Sequence, residues 1–467
     1  MEQLETKKDL TPATVVRRWL LELKIADKAE KDWRALGSKI LDKYRGTKAK
    51  KNSFNILWSN TETLRPSIYN SVPKVDIRRR FKDKDELGKL VGVVLERAAE
   101  FSIDTYDFDG LLKNSAMDML LAGRAVDRVR YVPTLADEEI NWEKVECQHV
   151  QWDDFRRGPG KAWTEVRWIA FRHRFNRDEL TEHFGEVGKK LKLGAVADEN
   201  LITKADQGVQ ELFQTLEVWE IWDKDNKKVL FISEKHPWPL KEVDDPLGLT
   251  DFWPIPRPLY AIEDSSSLIP VPLYDLYSEQ AEELDRISVR INKLVAGLKM
   301  RGIYDATITE LSQVMTGEDN DLIPAQNVMA LLERGGLDKA IWFIPIEQAA
   351  KVLKELYIQR ETTKQIIYEI TGISDIIRGS SDASETATAQ QIKNQWGTLR
   401  LQRMQREFQR YARDLIRLKT EIIAEKFQQE TLMQMSGVKI PTAQEKQQAQ
   451  AMGQPPPELP TWEEVIA

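Results

Sequence analysis

The feature that most constrains this chain is one long apolar stripe in its C-terminal third. Its members follow one another at alternating spacings of three and four residues: Leu401, Met404, Phe408, Tyr411, Leu415, Leu418 and Ile422. This spacing places all the side chains on one face of an α-helix. A helix over residues 383–430 would be about 70 Å long at about 1.5 Å per residue. Because a small domain is only about 30 Å across, such a helix must cross several elements of structure.

The residues before this stripe change abruptly from loop to helix. Gly379, Ser380 and Ser381 give the backbone conformational freedom. Asp382 and Glu385 then have the spacing of a capping box, in which side chains satisfy the free N–H groups at a helix start. The sequence therefore predicts a flexible loop over residues 374–384 and a rigid helix over residues 385–432.

Two further helices, with an insert between them, precede this loop. The first is predicted over residues 273–299, where apolar side chains again alternate at spacings of three and four: Leu284, Ile287, Ile291, Leu294 and Leu298. The second is predicted over residues 347–370, and Gly372 after it suits a left-handed helix cap. Between them, residues 301–345 are predicted to form a compact mixed α/β module.

The first half of the chain mixes helices with β-strands. Apolar periodicity predicts helices over residues 13–45, 86–101 and 108–122. The segments "WTEVRWIAFRHRF" and "LEVWEIWDKDNKKVLFISE" are rich in β-branched and aromatic residues and predict strands, the second folding back as a hairpin at residues 223–226. A further short strand is predicted in "KNSFNILWSN". The expected fold class is α+β.

Composition limits the kinds of partner. The 467 residues carry a formal net charge of -7, so the whole chain is not a basic surface for nucleic acid. Cys147 is the only cysteine, which is typical of a reducing compartment. No apolar run approaches the roughly 18 residues of a membrane span, and the N-terminus is too polar for a signal peptide. We expect a soluble intracellular protein with no membrane partner. The final "TWEEVIA" predicts the start of another helix, and we expect more protein beyond it.

Enzyme signatures are missing from the sequence. It contains no GxxxxGK[ST], GxSxG, HExxH or CxxC motif. Its histidines, His149, His173, His183 and His236, lack the spacing of metal ligands. The acidic stretches "DTYDFDG" and "GEDND" lack the full calcium-loop pattern, so solvated turns are favoured over a cation site. We therefore predict no catalytic residue, no metal and no cofactor.

Charge is distributed unevenly over the second half. Residues 391–419 contain eight basic residues against two acids: Lys393, Arg400, Arg403, Arg406, Arg410, Arg413, Arg417 and Lys419 against Glu407 and Asp414. A solvated or intersubunit helix face is favoured over phosphate contact, which stays open as the alternative. The insert, residues 301–345, has three basic and seven acidic residues, a net charge of -4. Such a surface is poor at gripping DNA.

The order of these segments along the chain resembles that of the portal proteins of tailed bacteriophages of the podovirus and siphovirus types. The stretches that carry the resemblance are "DPLGLTDFWPIPRPLY", "SSSLIPVPLYDLYSEQAEELDRI", "LKMRGIYDA", "YEITGISDIIRGSSDASETATAQQIK" and "ARDLIRLKTEIIAEKF". The resemblance covers about residues 55–427 and is most specific over residues 368–393.

The resemblance implies a portal fold. After an N-terminal helical segment (1–50), it implies a wing (51–270) with a β-rich second half, stem helices (271–300 and 347–373), a clip (301–346), a tunnel loop (374–384), a long wing helix (385–432), and a linker with the start of a truncated helical crown (433–467). The tunnel-loop residues facing DNA would be Gly379, Ser380, Ser381, Asp382, Ala383 and Ser384. The clip residues contacting an adaptor or terminase would be Glu318, Asp319, Asn320, Asp321, Gly335 and Gly336. Packing between subunits is expected at Leu284, Ile287, Ile291, Leu294 and Leu298.

The resemblance also implies a function and partners. Portal proteins form a ring of twelve subunits at one capsid vertex, through which a separate motor drives DNA. The implied partners are the terminase large subunit, head-to-tail adaptor and tail proteins, major capsid and scaffold proteins, and double-stranded DNA that passes without sequence preference. Two other classes remain: a helical structural scaffold or adaptor without a DNA channel, and a nucleic-acid enzyme, for which the sequence offers no catalytic constellation.

Overall fold

The chain folds as two compact units of mixed α and β structure, each built from separate stretches of sequence. The computed structural model describes residues 11–47, 53–78, 85–136, 139–194, 214–297, 302–304, 341–343, 347–373, 387–452 and 460–466. The first unit combines Met1–Arg45, Trp58–Leu276 and Gly372–Ala467, and the second combines Gly46–Leu57 with Tyr277–Thr371. The α+β class expected from the sequence is confirmed.

The described helices are α1 (Pro12–Ala29), α2 (Lys31–Arg45), α3 (Ile56–Ile68), α4 (Glu86–Thr105), α5 (Phe108–Leu121), α6 (Arg177–Lys190), α7 (Ser278–Gly297), α8 (Glu347–Thr371), α9 (Ala387–Lys426), α10 (Gln429–Ser436), α11 (Ala443–Ala451) and α12 (Trp462–Ile466). Short 3-10 helices cover Trp163–Glu165 and Leu273–Tyr277. The described strands are β1 (Arg124–Ala136), β2 (Glu139–Val150), β3 (Phe155–Arg157), β4 (Trp168–Phe175), β5 (Leu216–Asp223), β6 (Lys228–Ile232), β7 (Lys241–Asp244), β8 (Leu259–Tyr260), β9 (Gly302–Tyr304) and β10 (Ile341–Phe343).

All the described strand pairs are antiparallel. One sheet has the order β2-β1-β8, a second has the order β3-β4-β5-β6-β7, and β9 pairs with β10. The register of the β1–β2 hairpin runs from Val126 opposite Val150 to Ala136 opposite Glu139. In the second sheet β5 and β6 pair from Asp223 opposite Lys228, so the hairpin predicted at residues 223–226 is confirmed.

The main core of the first unit lies between the β1–β2 hairpin and helices α4, α5 and α9. The apolar stripe of α9 enters this core, because Phe408, Tyr411, Leu415 and Ile422 are all almost fully buried. Phe408 also packs against Tyr69, with ring centroids 5.2 Å apart. This apolar stripe of α9 is therefore buried within a single chain.

The long helix is shorter than the sequence predicts at its C-terminal end. It was expected to continue to residue 432, but α9 ends at Lys426 and Gln428 is extended, with φ -75° and ψ 157°. The Gln428 N–H donates to Oε2 of Glu143 at 2.7 Å. Since Glu143 is completely buried, this hydrogen bond satisfies an oxygen that water cannot reach, and it favours the break.

The C-terminal segment is also different from the expected linker and truncated crown. Helix α11 lies within the glutamine-rich stretch, and α12 follows at the end. The capping box predicted at Thr461 and Glu464 is confirmed, since each backbone N–H donates to the other side chain, at 2.8 and 3.3 Å. Trp462 is fully buried in the main core. This short helix is therefore part of the first unit.

Residues 56–60, predicted as part of a strand, begin helix α3. Its buried positions recur at the spacing of three to four residues that is typical of a helix: Ile56, Leu57, Asn60, Thr61, Leu64 and Ile68. The prediction was wrong because the window stopped at Asn60, before this helical repeat becomes visible.

A buried ionic cluster joins α1 and α2 to the β-structure of the first unit. Glu30, between the two helices, accepts hydrogen bonds from Arg124 at 2.9 and 3.2 Å and from Arg34 at 2.8 Å. Arg157 Nε lies 3.4 Å from the same carboxylate. Burial alone would raise the pKa of Glu30, but these arginines lower it below its ordinary value. The carboxylate is therefore a fixed anion holding three guanidinium groups.

Candidate interaction surfaces

Helix α9 presents a stripe of arginines on the side opposite to its buried residues. Arg403, Arg406, Arg413 and Arg417 are exposed. At 100° per residue their positions fall within one narrow arc of the helix. The face is exposed to solvent in the single chain. Contact with a neighbouring subunit and contact with phosphate both stay predictions.

Two other basic residues of α9 have their charged groups occupied within the chain. Arg410 lies within this arc, but it bonds to Glu407 at 2.6 Å, to Asp414 at 3.1 Å and to the backbone oxygens of Arg257 and Pro258. Lys419 lies on the core side, fully buried, with its Nζ 5.5 Å from the Phe108 ring. Burial lowers the pKa of Lys419. Neither is free to meet a partner, so the net basic count of the sequence overstates the charge on the surface.

A groove runs along this stripe between α9 and residues 68–78. Its volume is about 950 Å³. Apolar side chains line it on both walls: Val75 and Ile77 on one, Phe408, Ala412 and Ile416 on the other. Four basic side chains line it as well: Lys74, Arg78, Arg413 and Arg417. The groove therefore combines an apolar interior with cations.

The two carboxylates that line the groove already have partners. Asp76 accepts a hydrogen bond from Arg78 at 2.7 Å. Glu421 accepts two from Thr250, one from the backbone N–H at 2.7 Å and one from the hydroxyl at 2.6 Å. Both bonds go to the same carboxylate oxygen, Oε1, so the acceptor capacity of that oxygen is used by Thr250. The charge available to a ligand is therefore mainly positive.

The predicted stem residues lie inside the helix pair of the second unit. Leu284, Ile287 and Ile291 of α7 are buried, and Ile287 and Ile291 pack with Leu356 of α8. Leu294 is partly buried in the same cluster, whereas Leu298 lies outside the described residues. The expectation that this stripe needs a neighbouring chain is corrected, because α8 of the same chain covers it.

The helix pair keeps other apolar side chains exposed. Val295, Val352, Tyr357, Ile358 and Ile366 are between 40% and 52% exposed. Side chains with this exposure are available for contact with another molecule. These residues, not the buried stripe, are the candidates for contact between chains.

Between the end of α7 and the start of α8, β9 and β10 form a short antiparallel ladder. Gly302 lies opposite Phe343, and Tyr304 lies opposite Ile341. The ladder brings together the two ends of the insert. The predicted clip residues Glu318, Asp319, Asn320, Asp321, Gly335 and Gly336 lie outside the described residues, as do the tunnel-loop residues Gly379, Ser380, Ser381, Asp382, Ala383 and Ser384. Both predictions stay predictions.

One polar constellation was not visible in the sequence. The β1–β2 pairing brings His149 next to Asp127, with Nδ1 2.8 Å from Oδ1, and Nε2 lies 3.0 Å from Asp118 of α5. Burial alone would lower the pKa of His149, but the two carboxylates raise it to about 10. Ser115 donates to Asp127, not to the imidazole. An imidazole whose proton is stabilised by two carboxylates is a poor general base, and these contacts join α5 to the β1–β2 hairpin.

The acidic stretch at residues 104–110 is used locally. Asp107 caps α5 by accepting from the Gly110 N–H at 3.1 Å, and Asp109 accepts from Tyr69 at 2.7 Å. Among the residues that the structure describes, no group of three or more His, Cys, Asp or Glu side chains could hold a metal ion. No described helix is both long enough and apolar enough to span a membrane.

No model of a known protein family matches this sequence, and no curated protein matches it either.

Proposed function

We propose that the chain is a portal-type protein that assembles as a ring of twelve subunits and forms a channel for DNA at one vertex of a viral capsid. The proposal rests on the resemblance of the sequence over about residues 55–427 and on one structural observation. That observation is the antiparallel pair α7–α8, which the β9–β10 ladder joins between the end of α7 and the start of α8. In a portal these parts are the stem and the clip.

The exposed apolar residues of the helix pair support assembly. The pair needs no partner to bury Ile287, Ile291 and Leu356, yet Ile358 and Ile366 remain 52% and 42% exposed. A ring gives every subunit two neighbours, so it covers two different faces of each pair. Closed assembly therefore removes exposed apolar area that a monomer cannot hide.

The charge of the chain supports passage of DNA without tight binding. The insert carries a net charge of -4, and twelve copies would repeat it around the channel. Like charges on the wall and on the duplex prevent the counterion-releasing contacts that would resist sliding. The same insert would dock the terminase large subunit and later the head-to-tail adaptor, while the wing would contact capsid and scaffold proteins.

Electron microscopy of the purified full chain tests the proposal directly. We expect rings with a central hole, and a particle mass close to twelve times 54.0 kDa. Filaments or solid particles would instead indicate a structural scaffold without a channel, and compact monomers at micromolar concentration would oppose both.

A pair of substitutions tests the surface assigned to assembly. Ile358→Asp together with Ile366→Asp places charge in the exposed apolar face and should leave folded monomers, as measured by light scattering and circular dichroism. Gln365→Asp is the matched control, because Gln365 is an exposed polar residue of the same helix. Rings formed normally by the double variant would contradict this assignment.

A further inference from the structure

We propose that the groove between α9 and residues 68–78 binds an extended acidic segment of a partner protein, whose apolar side chains enter the groove. This proposal does not depend on the portal function. It rests on the shape of the groove, on the charges along it and on main-chain groups of one wall that form no hydrogen bond with the described residues.

The dimensions of the groove suit a short extended peptide. From Phe408 to Ala424 the wall formed by α9 is about 24 Å long at about 1.5 Å per residue. A strand advances about 3.3 Å per residue, so this length accommodates about seven residues. With a volume of about 950 Å³, the groove has room for their inward side chains.

The lining selects a peptide with two properties. Val75, Ile77, Phe408, Ala412 and Ile416 line it with apolar surface, which favours apolar side chains. Lys74 and Arg417 form no ion pair with any residue that the structure describes. Their unpaired charges favour carboxylates at positions that point out of the groove. A segment in which acidic and apolar residues alternate would place its apolar side chains against the apolar lining and its carboxylates near these two cations.

The main chain of residues 70–78 favours an extended occupant over a helix. Burial alternates along this wall: Val75 and Ile77 point inward, while Lys74, Asp76 and Arg78 are exposed, as in a strand. On the odd-numbered edge, the Ile77 N–H already has a partner, since it donates to Glu96 at 2.9 Å. Pro73 lies on the same edge and has no N–H to offer a partner.

The opposite edge of the same wall is open. The backbone N–H groups of Val72, Lys74 and Asp76 form no hydrogen bond with the described residues. Another strand can pair with such an edge, and that pairing is a common way of recognising extended peptides. A DNA duplex would leave the apolar interior unfilled, so the groove favours a peptide over a nucleic acid.

Fluorescence anisotropy tests the proposal with a fluorescein-labelled ten-residue peptide of alternating Glu and Val. We expect saturable binding by the full chain, and none by the corresponding Lys and Val peptide. Lys74→Glu combined with Arg417→Glu should weaken binding at least tenfold. The matched control is Arg403→Glu with Arg406→Glu, the same charge change on exposed residues of α9 outside the groove, and it should change binding less than twofold.

Two further measurements test separately whether the peptide lies in the groove and whether its main chain pairs with the wall. Gln409→Trp, at an exposed residue of the groove wall, should block binding without unfolding the chain. N-methylation of alternate peptide bonds of the probe should weaken binding at least tenfold if the main chains pair.

Three outcomes would overturn the proposal. The first is no binding of the acidic peptide, and the second is an equal loss in the groove and control variants. The third is tighter binding of a 20-base-pair DNA that is lost in the same groove variant. A change in the assembly state of Gln409→Trp would assign the groove to a second copy of the chain instead.

Discussion

Replacing Glu30 by Gln should destabilise the first unit far more than the loss of an ordinary surface charge. The Glu30 side chain is 4% exposed and lies against Arg124, which is completely buried. Gln has nearly the same volume, so no cavity forms. Its amide, however, directs N–H donors toward guanidinium groups that can only donate. Breaking one side of a buried ion pair leaves an uncompensated charge, which costs about 3–5 kcal/mol of the free energy of unfolding.

The surroundings of Arg124 allow the cause to be tested by rescue. Its guanidinium lies 4.4 Å from the ring centroid of Trp33 and 5.1 Å from that of Phe155. An unbranched apolar side chain suits this space, so Arg124→Met added to Glu30→Gln removes the most deeply buried of the three guanidinium charges that lose this partner, and it keeps the packing. We expect a favourable coupling energy of at least about 1.5 kcal/mol between the two changes.

Urea unfolding, with amide hydrogen exchange in α1 and α2, measures these differences. Glu234→Gln is the control, because Glu234 pairs with Lys24 at 3.7 Å while both side chains are 69–76% exposed. Its cost should be below about 0.5 kcal/mol. The pKa of Glu30 is lowered in the folded chain, so its stabilisation is complete above the ordinary value of about 4.5. It is lost as pH falls through the folded value, and the wild type and Glu30→Gln should converge there.

A small effect would refute this reasoning. If Glu30→Gln cost less than about 1 kcal/mol, the cluster would be worth no more than an exposed pair. If Arg124→Met gave no rescue, the stranded charge would not be the cause of the loss.

Three other predictions follow from described contacts. The pKa of His149, about 10 in the folded chain, should appear as an imidazole titration by NMR. The stabilisation from this group is complete below its ordinary pKa of about 6.5 and is lost as pH rises through about 10, whereas a midpoint near 7 would disprove the double carboxylate contact. Trp462→Ala should cost about 3–5 kcal/mol in urea unfolding, and Met452→Ala, at a side chain that is 75% exposed, should cost almost nothing. Ile291→Asp should unfold the α7–α8 pair and reduce the helical circular dichroism signal, while Ile358→Asp should preserve it; equal signals would place Ile291 outside the interface.

The elements that could be predicted from the sequence are those with a regular residue pattern inside one short stretch. The stripe of α9, the helices α7 and α8 and the β5–β6 hairpin could each be recognised from one window of residues. Both stripes were correctly read as buried faces. What covers each face could not be predicted, because α8 covers the α7 stripe from about 65 positions away and no local spacing encodes that partner.

The candidate surfaces were less accessible to prediction than the fold. The count of basic residues in α9 was correct, but only the structure separates Arg417 on the surface from Lys419 in the core. The groove depends on residues 68–78 lying beside α9, more than 330 positions later. His149 meets Asp118 and Asp127 only after β1 pairs with β2. Such sites arise from tertiary contacts, which a single sequence does not display.

The position of α9 in the main core has a consequence for synthesis. The Asp127 N–H donates to the hydroxyl of Tyr411, 284 residues later in the chain. A ribosome adding about 5–20 residues per second needs roughly 15 to 60 seconds to cover that distance. During this time the β1–β2 hairpin and α4 have emerged without the helix that covers them, so their apolar faces are open to chaperones and to other nascent chains. The α7–α8 pair, by contrast, is complete before Tyr411 is made. We therefore expect the second unit to fold during translation and the first to close only near its end.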